Sequence, residues 1–115
     1  VHGYDLTGRR VLVTGVANGA GHATVLALES AGATVVLAGA ADVVVNIADV
    51  SGAEHGLSGQ TRSLARELGP DRVRVNLVAA APDSSPEHVA AVALFLASTE
   101  SGGINGETII VNGSR

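Results

Sequence analysis

Hydrophobic positions along the chain fall into short, nearly continuous runs separated by glycine and small polar residues. Val-Leu-Val at 11–13, Val-Val-Leu at 35–37, Val-Val-Val at 43–45 and Ile-Ile-Val at 109–111 are too short for helices and lack the alternation of a half-exposed strand. Such runs suit strands buried on both faces, as in a parallel sheet. The pattern predicts strands at 11–14, 34–38, 43–48, 72–78 and 107–111. Between them lie longer segments with helical spacing. The first, at about 20–31, is apolar nearly all round (Ala23, Val25, Leu26, Ala27, Leu28) and closes at Gly32, as expected of a helix packed on a sheet. The second, at about 53–68, places Leu57, Thr61, Leu64 and Leu68 on one face with Arg62 and Arg66 toward solvent, and ends at Gly69-Pro70-Asp71. The third opens with Ser85-Pro86-Glu87 and reaches Ser98. Ser is a good N-cap, Pro suits the first helical position, and an acid in the first turn complements the helix dipole. Alternating strands and helices predict an α/β fold in one domain, residues 1–115.

Composition narrows the chemistry. The apolar fraction is 46%, but with one Phe, no Trp and no Met the core must be thin and aliphatic. The absence of Cys excludes disulfides and thiolate chemistry and predicts a cytoplasmic protein. No run is long enough for a membrane span and the start lacks a signal-peptide pattern. Net charge is −4 and the seven arginines are scattered, so nucleic acid is not an expected partner. Use of Arg to the exclusion of Lys, with abundant Ala, Gly and Val, predicts a GC-rich bacterial gene. His2, His22, His55 and His88 show no metal-ligand spacing, and no metal site is expected.

One segment carries a chemical signal. The strand at 11–14 runs directly into Gly15-Val16-Ala17-Asn18-Gly19-Ala20-Gly21, which opens the first helix. Glycines there let backbone approach a phosphate closely, and the amino end of a helix favours an anion. Thr14-Gly15-x-x-x-Gly19-x-Gly21 after a strand resembles the cofactor loop of the short-chain dehydrogenase/reductase family. The resemblance extends along nearly the whole chain. It covers 5–21, the helix-and-strand stretch Thr61-Arg62-Ser63-Leu64-Ala65-Arg66-Glu67-Leu68-Gly69 with Val73-Arg74-Val75-Asn76, and the closing segments 86–96 and 106–113.

What the resemblance implies is a contracted Rossmann-like NAD(P)-binding domain of about five strands and three helices. Its cofactor would be NAD or NADP, held by Thr14, Gly15, Asn18, Gly19, Ala20, Gly21, Asn46 and Ala48. The departures matter as much. Family members are more than twice this long, and the part lacking here is internal. Asn46-Ile47-Ala48-Asp49 resembles the family's Asn-Asn-Ala-Gly strand end, with Ile47 and Asp49 as substitutions. It also reads as the following strand, the one ending in the catalytic Ser, which puts Asp49 at that position; the first reading is preferred because it also accounts for Asp42. In either alignment Val50 stands where the catalytic Tyr belongs and Glu54 where its Lys belongs. Val50 has no proton to give, and a carboxylate raises rather than lowers a neighbouring acid's pKa. The chain contains no lysine, and its single tyrosine is Tyr4. No catalytic residue is therefore assigned.

Other expectations follow from the same comparison. The positions that select NAD or NADP by their ribose contacts are Gly39 and Ala40, and the substrate lid is reduced to a few residues around 82–85. Asn46 is expected to keep a strand end ordered, Asp49 and Glu54 to flank a helix start, and Ser84 and Ser85 to act as caps. Four residues, 39–42, join two strands that in the family lie parallel on opposite sides of the first. A parallel crossover ordinarily needs a dozen residues, so an altered strand order near 39–42 is expected. By resemblance the protein is an NAD(P)-binding oxidoreductase, inactive alone. The alternatives are a non-catalytic partner subunit, in a homo-oligomer or with a full-length relative, and a non-functional gene remnant.

Overall fold

The computed structural model describes residues 4–15, 19–50 and 53–112. Five parallel strands, β1 (Arg10–Thr14), β2 (Thr34–Val36), β3 (Val43–Asp49), β4 (Arg74–Ala80) and β5 (Thr108–Val111), form one sheet in the order β2-β1-β3-β4-β5. Three helices connect them: α1 (Gly19–Ser30), α2 (Ala53–Leu68) and α3 (Pro86–Ala97). The expected α/β architecture of about five strands and three helices is the one that forms.

Strand periodicity sorts side chains between two layers. Val11 and Val13 of β1, Val43, Val45 and Ile47 of β3, and Val78 and Ala80 of β4 pack with Leu28 of α1 and with Val89, Ala93, Leu94 and Leu96 of α3. On the opposite face Val44 and Val75 pack with Ala65 of α2, joined by the half-buried Leu12, Leu64 and Leu68. Thus α1 and α3 share one face and α2 covers the other. The connections β3–α2–β4 and β4–α3–β5 step the same way across the sheet on opposite faces, so they have opposite hands. The α1 connection steps the other way on the α3 face and shares the hand of α2. The α3 connection is therefore the exception to the near-universal right-handed rule, and it is what sets α3 beside α1.

The altered strand order expected near 39–42 does not form. β2 and β3 both pair parallel with β1, one on each side of it. The expectation assumed a full-length second strand that the chain would have to retrace. Instead β2 stops at Val36, level with Leu12, and β3 starts at Val43, level with Val11. The return is one residue, about 3.3 Å, and two strand spacings sideways, about 9.6 Å. The six residues 37–42 reach roughly 20 Å, so no helix is needed. Arg10 anchors the link: its backbone N–H donates to Asp42 Oδ2 at 2.8 Å and its Nε to the Ala40 carbonyl at 3.2 Å, while the Asp42 N–H donates to the Arg10 carbonyl at 2.8 Å. With no helix over this corner, Leu37 is left 75% exposed.

The loop before β5 is held by polar groups from β4. Arg74 is half-buried; its Nη1 donates to the Ser101 carbonyl, Ser101 Oγ and the Ile104 carbonyl at 2.8, 3.0 and 3.1 Å, and its Nη2 to the Ser98 carbonyl at 2.8 Å. Burial and the nearby Arg9 push the guanidinium pKa down, but an arginine stays charged. Asn76, fully buried, donates to the Ile104 carbonyl and accepts from the Glu107 N–H at 3.1 and 3.0 Å.

Two predictions follow from this geometry. Arg74→Met strands several carbonyls of the 98–104 loop, and a loss of about 2–4 kcal/mol is expected; a denaturant midpoint within error of the parent would contradict the anchoring role. Gly15 and Gly39 both have positive φ, 75° and 93°. A Cβ on Gly15 would run into the Ile47 carbonyl, whereas one on Gly39 meets nothing. Gly39→Ala should therefore cost only the backbone strain, about 1 kcal/mol, and Gly15→Ala at least twice that. Equal losses by chemical denaturation would remove the close approach as the reason for Gly15.

Candidate functional site

In open parallel sheets, ligands bind beyond the carboxyl ends of the strands where the strand order reverses. Here that point lies between β1, whose crossover leads outward to β2, and β3, whose crossover leads the other way to β4. A cleft of about 190 Å³ opens at this edge. The start of α1 (Gly19, Ala20), the end of β3 (Asp49), the end of β4 with the turn after it (Ala80, Ala81, Pro82) and the start of α3 (Ser84, Pro86, Val89) enclose it. Because α3 shares the α1 face, the amino ends of two 12-residue helices converge on one cavity.

Each wall has a local cause. Gly15 ends β1 in a left-handed conformation, and its missing side chain lets the turn press against the Ile47 carbonyl of β3. Gly21 is buried in the first turn of α1. Thr14 Oγ1 donates to Asn46 Oδ1 at 2.6 Å, and Asn46 Nδ2 donates to the buried Thr61 Oγ1 of α2 at 3.1 Å. This relay ties β1, β3 and α2 together just below the strand ends and engages both ends of the Asn46 amide, the ordering role expected of it. Ala48, half-buried, pairs with Ala79, and the backbone N–H of Val50 carries the β3–β4 pairing one step further by donating to the Ala80 carbonyl at 2.9 Å.

The α3 wall is capped as its sequence predicts, with one difference. Ser85 Oγ accepts from the N–H groups of Glu87 and His88, and it donates to Glu87 Oε1 at 2.9 Å, which holds the Glu87 carboxyl below the usual range. Ser84 is not a second cap. Its hydroxyl donates to the Val111 carbonyl at 2.6 Å and fastens the turn to the end of β5.

Of the residues expected to hold a dinucleotide, Gly19 and Ala20 line the cleft, and Thr14, Gly15, Gly21, Asn46 and Ala48 build its supports. Asn18 lies outside the described residues, as does the side chain of Glu54. The ribose-selecting positions carry no donor or acceptor side chain: Gly39 and Ala40 lie in the link, and the next acid, Asp42, holds the Arg10 N–H. Tyr4 is remote. Its ring stacks at a tilt on Phe95, with centroids 6.5 Å apart, and Phe95 lies nine residues along α3 from Pro86, about 14 Å. The cleft-lining residue that sequence reasoning did not single out is Asp49: it stands at the end of β3, four residues before α2, and also lines the cleft. Reading the end of β3 against the strand-end rule would have found it.

No helix among the described residues is long and apolar enough to cross a membrane. No protein-family model and no curated protein matches the chain. Among solved structures, a short-chain dehydrogenase from Mycobacterium smegmatis is 31% identical over 64% of this chain with a TM-score of 0.56, and the chain spans 38% of that protein's length. A short-chain type dehydrogenase/reductase from Mycobacterium marinum has a TM-score of 0.77 and 16% identity over 95% of each chain. An enoyl-acyl carrier protein reductase from Bacillus cereus, solved with NADP+ and indole naphthyridinone, has a TM-score of 0.77 and 15% identity over 94% of this chain and 96% of that one. The sheet, its helices and the cleft at its strand-end edge are a contracted short-chain dehydrogenase/reductase-like fold.

Proposed function

We propose that this chain is a dinucleotide-binding module that does not itself transfer hydride. The observation that carries the binding half is the cleft at the reversal of strand order. There, Gly15 brings the β1 turn against β3 and α1 begins at the cavity wall. Gly19, Ala20 and Gly21 would present the amino end of α1 to a pyrophosphate, beside Thr14 and Gly15 at the end of β1, and Asn18, outside the described residues, is a further proposed contact. Asn46 and Ala48 would border the cofactor from β3. At about 190 Å³ the cleft is smaller than a pocket for a whole drug-sized ligand. It suits the phosphate-bearing centre of a dinucleotide, with both ends lying over the open rim. Weak affinity follows, as does little choice between NAD and NADP, since neither Gly39 nor Ala40 can read the ribose.

The non-catalytic half rests on what stands around that cleft. A bound nicotinamide would supply the hydride-accepting ring, but the reaction also needs a group that gives or takes the proton. Val50 has a hydrocarbon side chain, no lysine exists in the chain, and Tyr4 is at the far end of α3. The one ionisable side chain among the described residues lining the cleft is the Asp49 carboxylate, which has no lysine to pair with. A partner subunit role alongside a catalytic relative is compatible with this arrangement and needs no residue the chain lacks.

Thermal melts with excess NAD(H) and NADP(H) test the reading. A ligand that binds only the native state stabilises it by about 2.7 kcal/mol at a hundredfold excess over Kd. A rise in Tm of similar size with NAD and NADP is expected, with no oxidation of NAD(P)H in the presence of aldehydes or ketones. No shift with any dinucleotide would end the binding half, and turnover that follows dinucleotide binding would end the other.

A further inference from the structure

Positive charge is distributed unevenly along the strand axis. All six described arginines lie at the end where strands begin. Arg9 and Arg10 open β1, Arg72 and Arg74 open β4, and Arg62 and Arg66 lie in the second half of α2, where they line a cavity with Asn105 and Gly106. The Gly106 N–H donates to the carbonyl of Val75, at the start of β4. The opposite end, where the cleft opens, has no described arginine. Asp49 lines the cleft itself, and Asp83 and Glu87 flank its α3 wall. Asp49 is the one ionisable residue among the described residues lining that cleft.

A cavity of about 190 Å³, taken as a sphere, is roughly 7 Å across, inside the ~8 Å Debye length at physiological salt. A phosphate group placed there feels the carboxylate's field only partly screened by salt. The two helix amino ends attract an anion, and Asp49 already supplies one. A carboxylate near helix amino ends is favourable for the protein and for the same reason competes with a ligand anion.

We propose that Asp49 sets the affinity of the cleft for phosphate-bearing ligands and holds it low. The inference rests on the dinucleotide-binding reading above and concerns the same site. On this proposal Asp49 acts through its charge, opposing each negative charge brought into the cleft. Removing the charge should therefore favour every ligand that carries a phosphate into the cleft, whatever is attached to it, and should not favour a neutral nucleoside.

The test compares the parent with Asp49→Asn and Asp49→Glu, using calorimetry or ligand-dependent melting with NAD+, ADP-ribose, AMP and adenosine. Asp49→Asn should bind NAD+ and ADP-ribose about tenfold more tightly, between the roughly threefold and fiftyfold that one like-charge pair about 7 Å apart gives at effective dielectric constants of about 80 and 20, with AMP shifted in the same direction. Asp49→Glu should stay near the parent, and adenosine should be unaffected. The advantage of Asp49→Asn should shrink as salt is raised. If the parent binds NAD+ and Asp49→Asn binds it no better, the charge role is wrong and the binding reading stands. An equal gain for adenosine would show a change of shape and overturn the proposal. If neither protein binds any phosphate-bearing ligand, both the proposal and the binding reading fall. Binding by Asp49→Asn alone would uphold the charge role and end the binding reading for the parent chain.

Discussion

A parallel sheet requires the chain to return to its starting edge after every strand, and in a 115-residue chain that requirement governs everything else. Three returns are made by helices, and each brings a face of apolar side chains to the sheet. The fourth is made by the link 37–42, possible only because β2 is three residues long and β3 begins almost level with its end. Arg10 and Asp42 clamp this join through backbone and side chain together. Because the join crosses β1, strands flank β1 on both sides, and the reversal of strand order that creates the cleft is preserved. A hairpin at the same place would have kept the strands and lost the site.

The economy has consequences for packing. The face carrying α1 and α3 holds the larger core, built from Leu, Val and Ala, while the α2 face covers little more than β3 and β4. With so few large side chains, buried polar groups do part of the ordering. Thr14, Asn46 and Thr61 link three elements beneath the cleft, and Arg74 and Asn76 organise the loop before β5. Such networks rigidify only when each member is satisfied, and these two sit at opposite ends of the strands, one beneath the cleft and one at the loop before β5.

Much of this was legible in the residues. Continuous apolar runs announced buried parallel strands, and Ser85-Pro86-Glu87 announced α3, because each signal is local and depends on neighbours within a turn. The glycine turn after β1 was legible for the same reason, since close backbone approach leaves no alternative to glycine at position 15. The join at 39–42 was misread because strand length was inferred from the apolar run 35–37, whereas pairing with β1 ends at Val36. Where a strand stops is decided by its partner's register, which no local pattern contains. Ser84 was misread, and the place of Asp49 in the cleft wall missed, for a related reason: both depend on elements distant in sequence, the end of β5 and the convergence of two helices.

Binding and catalysis thus separate on physical grounds. Helix amino ends and a close-packed glycine turn are properties of backbone path, and they persist wherever the path persists. Proton transfer needs particular side chains at particular points, and those are lost by single substitutions without disturbing the path. A contracted chain that keeps its strand order therefore keeps an anion-facing edge by default, while retaining nothing that obliges it to remain hospitable to an anion. On the reading proposed above, the carboxylate of Asp49 in the cleft, with every described arginine at the other end of the strands, is what such an edge can accumulate where binding is not coupled to turnover. Whether the edge still serves a ligand is then a question of charge at one residue more than of fold.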